Sequence, residues 1–430
     1  GLSFKLGNSA SYITDRKSVT FWPSGSNVYK TTSGTKVIKF QLNSDGWCDP
    51  STVRIMFNLV NNGDAVERLR PLQGAYSFFR RLRISAGGAL VEDFEYNRTH
   101  HMFEMLTSVH NRDNDDIEGF GYRSDTLNGA DPSTASMPGI AGGSYQTVGF
   151  KLLSGIFNQP KMLPLKYMPL TIELELVNDK NDPVITPGVD ATFTVANTSN
   201  DWHIDNVQLK CDVVTLDNSL QNNYESHLLS GKTLPINYNT YITQSQAITG
   251  TEVSANVSRA ISRLKSIFVS FYKAPLVVAG VANPPTWNDK EWLSFMHPMA
   301  AVANYNKGYE LEMQVQVGSK LFPEYPLRSM SEIYAQLKKS VGILGSNFHS
   351  MSITPAQYRN DHFVAGIDTE KSIGASWTGL STRAGDLLSV RVKAQDKSTL
   401  LSVGMPDTLH IVLHSDNILS ISDGGCEVWD

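Results

Sequence analysis

The residues best equipped for chemistry in this chain are scattered. His100 and His101 are adjacent. On a helix their rings point to different faces, whereas a metal-binding pair wants i, i+4 spacing, so the expected role is a solvated helix face. Asp113, Asp115, Asp116 and Glu118 form an acidic run and are the candidate cation site, because hard cations take several oxygens on a flexible loop. The calcium-loop pattern fails there, with its turn glycine and final Glu misplaced, and a solvated loop is the plainer reading. Cys48, Cys211 and Cys426 are odd in number and lack the short spacing of a zinc or redox site. Neither a disulfide scaffold nor a metal centre is expected, which fits folding in a reducing compartment. No phosphate-cradling loop, dinucleotide glycine pattern or nucleophile elbow occurs. The expectation is no catalytic residue, no cofactor and no enzyme. Asn97, Asn197 and Asn256 head Asn-x-Ser/Thr sequons. Asn97 opens a helix and reads as a cap; Asn197, in a long loop, is the candidate for glycosylation.

Charge argues the same way. The 37 Lys and Arg against 42 Asp and Glu give a net charge of −5, whereas proteins that grip phosphate carry a basic excess. Direct, sequence-specific nucleic-acid binding is not expected. Arg80, Arg81 and Arg83 form a local basic patch, best read as a strand end in salt bridges or a subunit contact. No run of 18 apolar residues is present to span a bilayer. The opening Gly1-Leu2-Ser3-Phe4-Lys5 lacks a signal-peptide apolar run, and Gly1 is compatible with Met removal or a protease cut.

What positions the side chains is a period of two. Ile38, Phe40 and Leu42 alternate with polar residues, as do Val53, Ile55, Phe57 and Leu59, then Ile172, Leu174 and Leu176, and Val207, Leu209, Cys211 and Val213. The second half repeats the habit at Leu311 to Val317 and Leu388 to Val392. That is the mark of half-buried antiparallel strands. Helical patterns are few: 97–109, 217–229 opened by Asp217 and followed by Gly231, and 331–344 behind a Ser329/Glu332 capping box. Long polar loops are expected at 111–147, 178–202 and 273–308.

A length of 430 residues suits two domains, and a faint repeat supports a duplication. Gly87-Gly88, Leu90, Glu95-Tyr96 and a helix reaching Leu106 are echoed by Gly318-Ser319, Leu321, Glu324-Tyr325 and a helix reaching Leu337. The predicted fold is all-β. It comprises an extended N-terminal arm (1–33), a first jelly roll (34–216), a linking helix (217–233) and a second jelly roll (234–430).

Several blocks carry a family likeness: Phe78-Phe79-Arg80-Arg81-Leu82-Arg83-Ile84 running to Val91-Glu92-Asp93 and Glu95-Tyr96; Leu163-Pro164-Leu165-Lys166-Tyr167-Met168-Pro169-Leu170; Leu209 to Tyr224 with Gly231 and Leu234-Pro235; and Ile418-Leu419-Ser420-Ile421 with Gly424-Gly425-Cys426-Glu427-Val428. In their order and spacing the chain resembles the double jelly-roll major capsid proteins of eukaryotic double-stranded DNA viruses. The nearest likeness is to Polinton-like viruses and virophages; the nucleocytoplasmic large DNA viruses are more distant. The likeness covers most of the chain after about residue 35. It implies two eight-stranded jelly rolls side by side, a homotrimer of pseudo-hexagonal outline, and capsomers that tile an icosahedral shell. Implied partners are neighbouring capsomers, penton and minor or cement proteins, with an internal membrane as a further candidate. The implied location is the virion capsid, made and assembled inside the host cell.

The arm matches no family block. Its Lys5, Arg16, Lys17 and Lys30 face a single acid, Asp15, and Phe4, Tyr12, Phe21 and Trp22 are too scattered to build a core. It is expected to dock on another capsomer, a minor capsid protein or the underside of the shell, since ordering it needs compensating contacts. Rival readings are a glycan-binding jelly roll using Trp202, Trp287, Trp292 and Trp377, a minor capsid or penton protein, and a β-rich hydrolase. The missing constellation disfavours the hydrolase, and the two-domain length disfavours a penton.

Overall fold

The computed structural model describes residues 12–32, 35–122, 137–186, 194–250, 252–272, 295–298, 311–343, 351–360, 362–371, 378–383, 387–394 and 406–430. Phe4, Lys5, Trp287, Trp292 and Trp377 lie outside the described residues.

The first domain uses β1 (Ile13–Phe21), β2 (Val37–Leu42), β3 (Trp47–Asn61), β4 (Phe79–Ala86), β5 (Ala89–Glu95), β6 (Tyr145–Phe150), β7 (Leu170–Leu176) and β8 (Trp202–Leu216). One sheet runs β1-β8-β3-β6 and the other β2-β7-β4-β5. The second domain uses β9 (Leu234–Ala247), β10 (Glu252–Val257), β11 (Leu264–Tyr272), β12 (Leu311–Val317), β13 (Lys320–Leu327), β14 (Val364–Asp368), β15 (Leu388–Ala394) and β16 (Thr408–Ser422). Its sheets run β9-β16-β11-β14 and β10-β15-β12-β13. Each first-domain strand therefore has a counterpart eight places later, in the same sheet position. A final strand, β17 (Gly425–Trp429), folds back on β16.

Alternation builds both sandwiches. Leu170, Ile172, Leu174 and Leu176 of β7 are buried, with Thr171, Glu173 and Glu175 turned out. Across the first core Phe57 meets Phe79 edge-on at 5.6 Å and Phe78 meets Trp202 at 4.9 Å. The second core is built by Leu311, Met313, Val315 and Val317 beside Val390 and Val392 of the same sheet, with Ile411 and Leu413 from the other sheet. The hairpin β4–β5 turns on Gly87 and Gly88, both at positive φ (53° and 88°), the combination a tight two-residue hairpin requires.

Among the described residues four longer helices punctuate the strands: α1 (Tyr96–Met105), α2 (Val109–Glu118), α3 (Asn218–Leu229) and α4 (Met330–Ser340). Asp217 caps α3 by accepting from the Ser219 N–H at 3.1 Å. Ser329 caps α4 by accepting from the Glu332 N–H at 3.2 Å, and Glu332 reaches back to the Arg328 N–H at 2.8 Å. At one end β4–β5 and β12–β13 are joined by two residues each, and residues 151–169 join β6 to β7 there, with the Gly87 N–H donating to the Pro169 carbonyl. At the other, residues 62–78 meet 177–186 and 194–201, with the Arg68 and Leu72 N–H groups donating to the Asn197 and Pro183 carbonyls.

Two expectations need correction. Residues 13–21 do not stand apart as an arm. They form β1, antiparallel to β8 from Ile13↔Leu216 to Phe21↔Leu209, and β1 is the counterpart of β9. A first jelly roll beginning at residue 34 would lack its first strand. The strand escapes pattern reading because it is an edge: Val19 and Phe21 pack against the core, while Lys17 takes the next inward position and breaks the apolar row. Second, Asp113, Asp115, Asp116 and Glu118 lie on α2 rather than in a loop.

Candidate functional site

The most elaborate constellation of side chains lies at the seam between the domains. There β5 and α1 of the first domain cover the outer face of the β9-β16-β11 sheet of the second. Phe94 meets Tyr241 at 5.5 Å, and Phe103 reaches Tyr241 at 4.9 Å and Phe268 at 5.2 Å. The Arg98 guanidinium lies 3.1 Å above the Tyr272 ring and 3.5 Å from the Glu95 carboxylate. Backbone groups are tied across as well. The Glu95 N–H donates to Thr243 Oγ1 at 2.9 Å and the Tyr238 hydroxyl to the Val91 carbonyl at 3.0 Å. The aromatic contacts seal a face that also carries the buried His410, Ser266 and Ser270 and the half-buried His414.

Burial sets the protonation of these groups. Glu92 accepts from the Ser154 hydroxyl and from the Gly155 N–H at 2.9 Å. Its desolvation outweighs those bonds and pushes its pKa up to about 7. Desolvation drives His410 down to about 4 and His414 down to about 3, so both are neutral near pH 7. Arg98 is lowered to about 10, again mainly by desolvation.

Ser245, His410 and Glu95 superficially suggest a hydrolytic triad. Ser245 Oγ is 3.1 Å and Glu95 Oε2 3.8 Å from the same ring atom, His410 Nδ1. A triad needs nucleophile and carboxylate on opposite ring nitrogens. With the imidazole fully enclosed as well, the arrangement binds two domains together and offers no route for a substrate.

The sequence-derived candidates separate into distinct places. Asp115, Asp116 and Glu118 line a cleft of about 220 Å³ with Tyr76, His100 and Glu104, while Glu118 is drawn 3.4 Å from Arg54 on β3. Among the described residues no group of three or more His, Cys, Asp or Glu is arranged to hold a metal ion. His100 stacks on Tyr76 at 4.1 Å, and His101, buried, bonds the Tyr76 hydroxyl at 3.0 Å. Asn197 is half-buried, and its side-chain oxygen accepts from the Thr194 N–H and the Thr198 hydroxyl at 2.9 and 2.8 Å. It closes a turn. Arg80 pairs with Glu175 at 3.0 Å, and Arg81 grips Asp93 with two bonds of 2.7 and 2.6 Å. Arg16 spans Asp212 at 2.7 Å and Asp49 at 3.0 Å, Lys17 sits 3.1 Å from Asp15, Phe21 leans on the first core, and Trp22 is exposed. Trp202 is buried, its indole N–H donating to the Lys180 carbonyl at 2.8 Å, so it offers no glycan platform.

Pattern reading missed the seam. A signal was present: β11 reads Leu-Lys-Ser-Ile-Phe-Val-Ser-Phe-Tyr and is buried on both faces beyond its second residue. An unbroken run of this kind marks a strand covered twice.

No family model matches the chain, and no curated protein matches it. Solved structures do. The PBCV-1 VP54 crystal structure, fitted into a reconstruction of the virophage Sputnik, superposes with a TM-score of 0.61 at 11% identity, covering 99% of this chain and 99% of that one. A chain of the Sputnik virophage structure gives 0.61 at 9% identity, with 100% and 90% covered. The Faustovirus major capsid protein gives 0.58 at 8% identity, with 98% and 92% covered. These likenesses span both domains and establish the fold as a double jelly roll.

Proposed function

We propose that the chain is a major capsid protein: a structural subunit, three copies of which form a capsomer of pseudo-hexagonal outline that tiles an icosahedral virus shell. The observation that carries this reading is the duplication itself. Two eight-stranded sandwiches with strand-for-strand equivalent sheets are fixed side by side by an extensive buried seam. A cyclic trimer of such a chain presents six similar lobes, and six lobes pack in a hexagonal net. Full-length superposition on the Faustovirus major capsid protein supports the same reading. Its partners are further copies of itself, penton and minor or cement proteins, with an internal membrane as a further candidate; its place is the virion.

Negative-stain imaging and light scattering of the purified protein test this. Triangular particles of three chains are expected. A monodisperse monomer at micromolar concentration overturns the proposal.

A further inference from the structure

Beside the sealed part of the seam the two domains stand apart and leave a cavity of about 370 Å³. One wall is the turn after β6, Gly155 to Pro160, from the first domain; the others are β9 and the neighbouring parts of β11 and β16 from the second. Period two puts Asn237, Asn239 and Tyr241 on one face of β9, and the register sets Asp416 of β16 opposite Asn239. Asn158 joins the lining from the turn. Asn158 and Asn237 are exposed and Asn239 is half-buried. Among the described residues none of these three side-chain amides makes a hydrogen bond to the protein, nor does the Tyr241 hydroxyl. The walls are rigid. A Cβ on Gly155 would overlap the Asn239 carbonyl oxygen, the Gly155 N–H donates to Glu92 at 2.9 Å, and the Asn158 N–H donates to the Gly155 carbonyl at 3.2 Å. Turn and strand therefore hold their amides in place before any ligand arrives, which lowers the cost of binding.

We propose that this cavity binds a neutral polyhydroxylated ligand, a sugar of hexose to disaccharide size. The inference goes beyond the shell-subunit reading and does not depend on it. The volume falls in the range of small-ligand sites, and such sites favour domain interfaces. The lining selects the class. A side-chain amide offers two donors and an acceptor, and a sugar hydroxyl both donates and accepts, so the three amides match a row of ring hydroxyls. Tyr241 adds a hydroxyl and an apolar ring, held in place by stacking on His414 at 5.3 Å, and an aromatic ring with a polar tip suits a molecule with hydroxyl edges and C–H faces. Other classes fit worse. The Lys265 ammonium lies 3.5 Å from Glu370 and 3.7 Å from Asp416, so it is neutralised before an anion could use it, and it repels a cation from the same carboxylates. An apolar molecule would strip water from the amides and leave them unpaired, which costs free energy at each.

The test is ligand-observed saturation-transfer NMR on the full chain, on Asn158→Ala and on Asn237→Ala. The probes are glucose, galactose, mannose and N-acetylglucosamine at millimolar concentration, with N-acetylneuraminate as the anionic and spermidine as the cationic comparison. Transfer to at least one of the four neutral sugars is expected, stronger than to either charged probe. Each variant should keep the melting temperature of the unchanged chain, because its side chain is exposed and makes no hydrogen bond to the protein, and should bind that sugar about fivefold more weakly, as loss of a hydrogen bond does. The two substitutions lie on different domains, so a loss in both places the sugar between them. No transfer to any of the four sugars overturns the proposal. So does transfer that is equal in the unchanged chain and both variants, or a preference for spermidine or N-acetylneuraminate. The oligomeric state, read by light scattering on the same samples, tests the shell-subunit reading separately.

Discussion

Gly155 sits where two domains touch with no room between them. A Cβ there would overlap the carbonyl oxygen of Asn239, and its N–H is committed to Glu92. Backbone on both sides must move to admit a methyl group. We expect Gly155→Ala to cost about 2–3 kcal/mol, read as a drop in denaturation midpoint; an unchanged midpoint would show that the seam is loose. Glu92 offers a second residue-scale test, and its sign is definite. Its folded pKa, about 7, is above the ordinary 4.5, so the folded chain holds a proton that the unfolded chain releases between those values. The stability it contributes is present below about pH 4.5 and is lost as pH rises toward 7. Glu92→Gln should be more stable than the unchanged chain at pH 8, by about 1–3 kcal/mol, and should match it near pH 4. A difference that does not vary with pH would place the carboxyl in contact with water. The desolvated imidazoles act the other way. His297, His410 and His414 are held to about 3, about 4 and about 3 by desolvation, below the ordinary 6.5. Their contribution is complete above about pH 6.5 and falls as pH drops toward 4. Three imidazoles against one carboxyl give a fold that loosens in acid. Melting temperatures that stay flat from pH 7 to pH 4.5 would contradict this.

The element whose role changed most between sequence and structure is β1. As an arm it would be dispensable for folding. As the edge strand of the β1-β8-β3-β6 sheet it shields the backbone edge of β8, packs Val19 and Phe21 on the core and ties Asp212 and Asp49 through Arg16. Deleting residues 12–22 should therefore expose an unpaired edge, lower the melting temperature and provoke aggregation. A deletion that leaves trimers with unchanged melting would restore the arm. Sequence legibility follows burial here. Strands with one face in a core and one in water, such as β7 and β12, announce themselves by alternation, and α3 and α4 by their caps. An edge strand with few buried side chains has little pattern to show, and β11, buried twice, shows apolar content without a period. The repeat of hairpin and helix at Gly87 and Gly318 was legible because a two-residue turn and the helix after it leave compact marks. The seam was not legible as a site, because its polar members, Glu92, Ser266, His410 and His414, acquire their role only when a second domain covers them.

At the scale of the whole chain the two jelly rolls share their cores. Ile236, Tyr238, Leu419 and Ile421 of the second domain belong to the apolar cluster of the first. Met102 and Met105 of α1 belong to the cluster of the second. Neither domain can lose its packing without exposing buried surface of the other, so the chain should unfold as one cooperative unit despite its length and its duplicated design. Strand β16 is central to that coupling. It lies between β9 and β11 and pairs with β9 along its whole length, from Leu234↔Ile421 to Ala247↔Thr408. Its C-terminal half reaches into the first domain's core. Truncation after Ser402 removes β16 and β17 together. It should leave β9 and β11 without a partner between them, strip Leu419 and Ile421 from the neighbouring core, and yield insoluble protein rather than a soluble first domain. Calorimetry of the intact chain is the more direct check. A single transition is expected, with calorimetric and van't Hoff enthalpies in agreement for each unit that melts. Two resolved transitions would mean that the seam is a contact between independent domains, and Gly155→Ala would then lower only one of them.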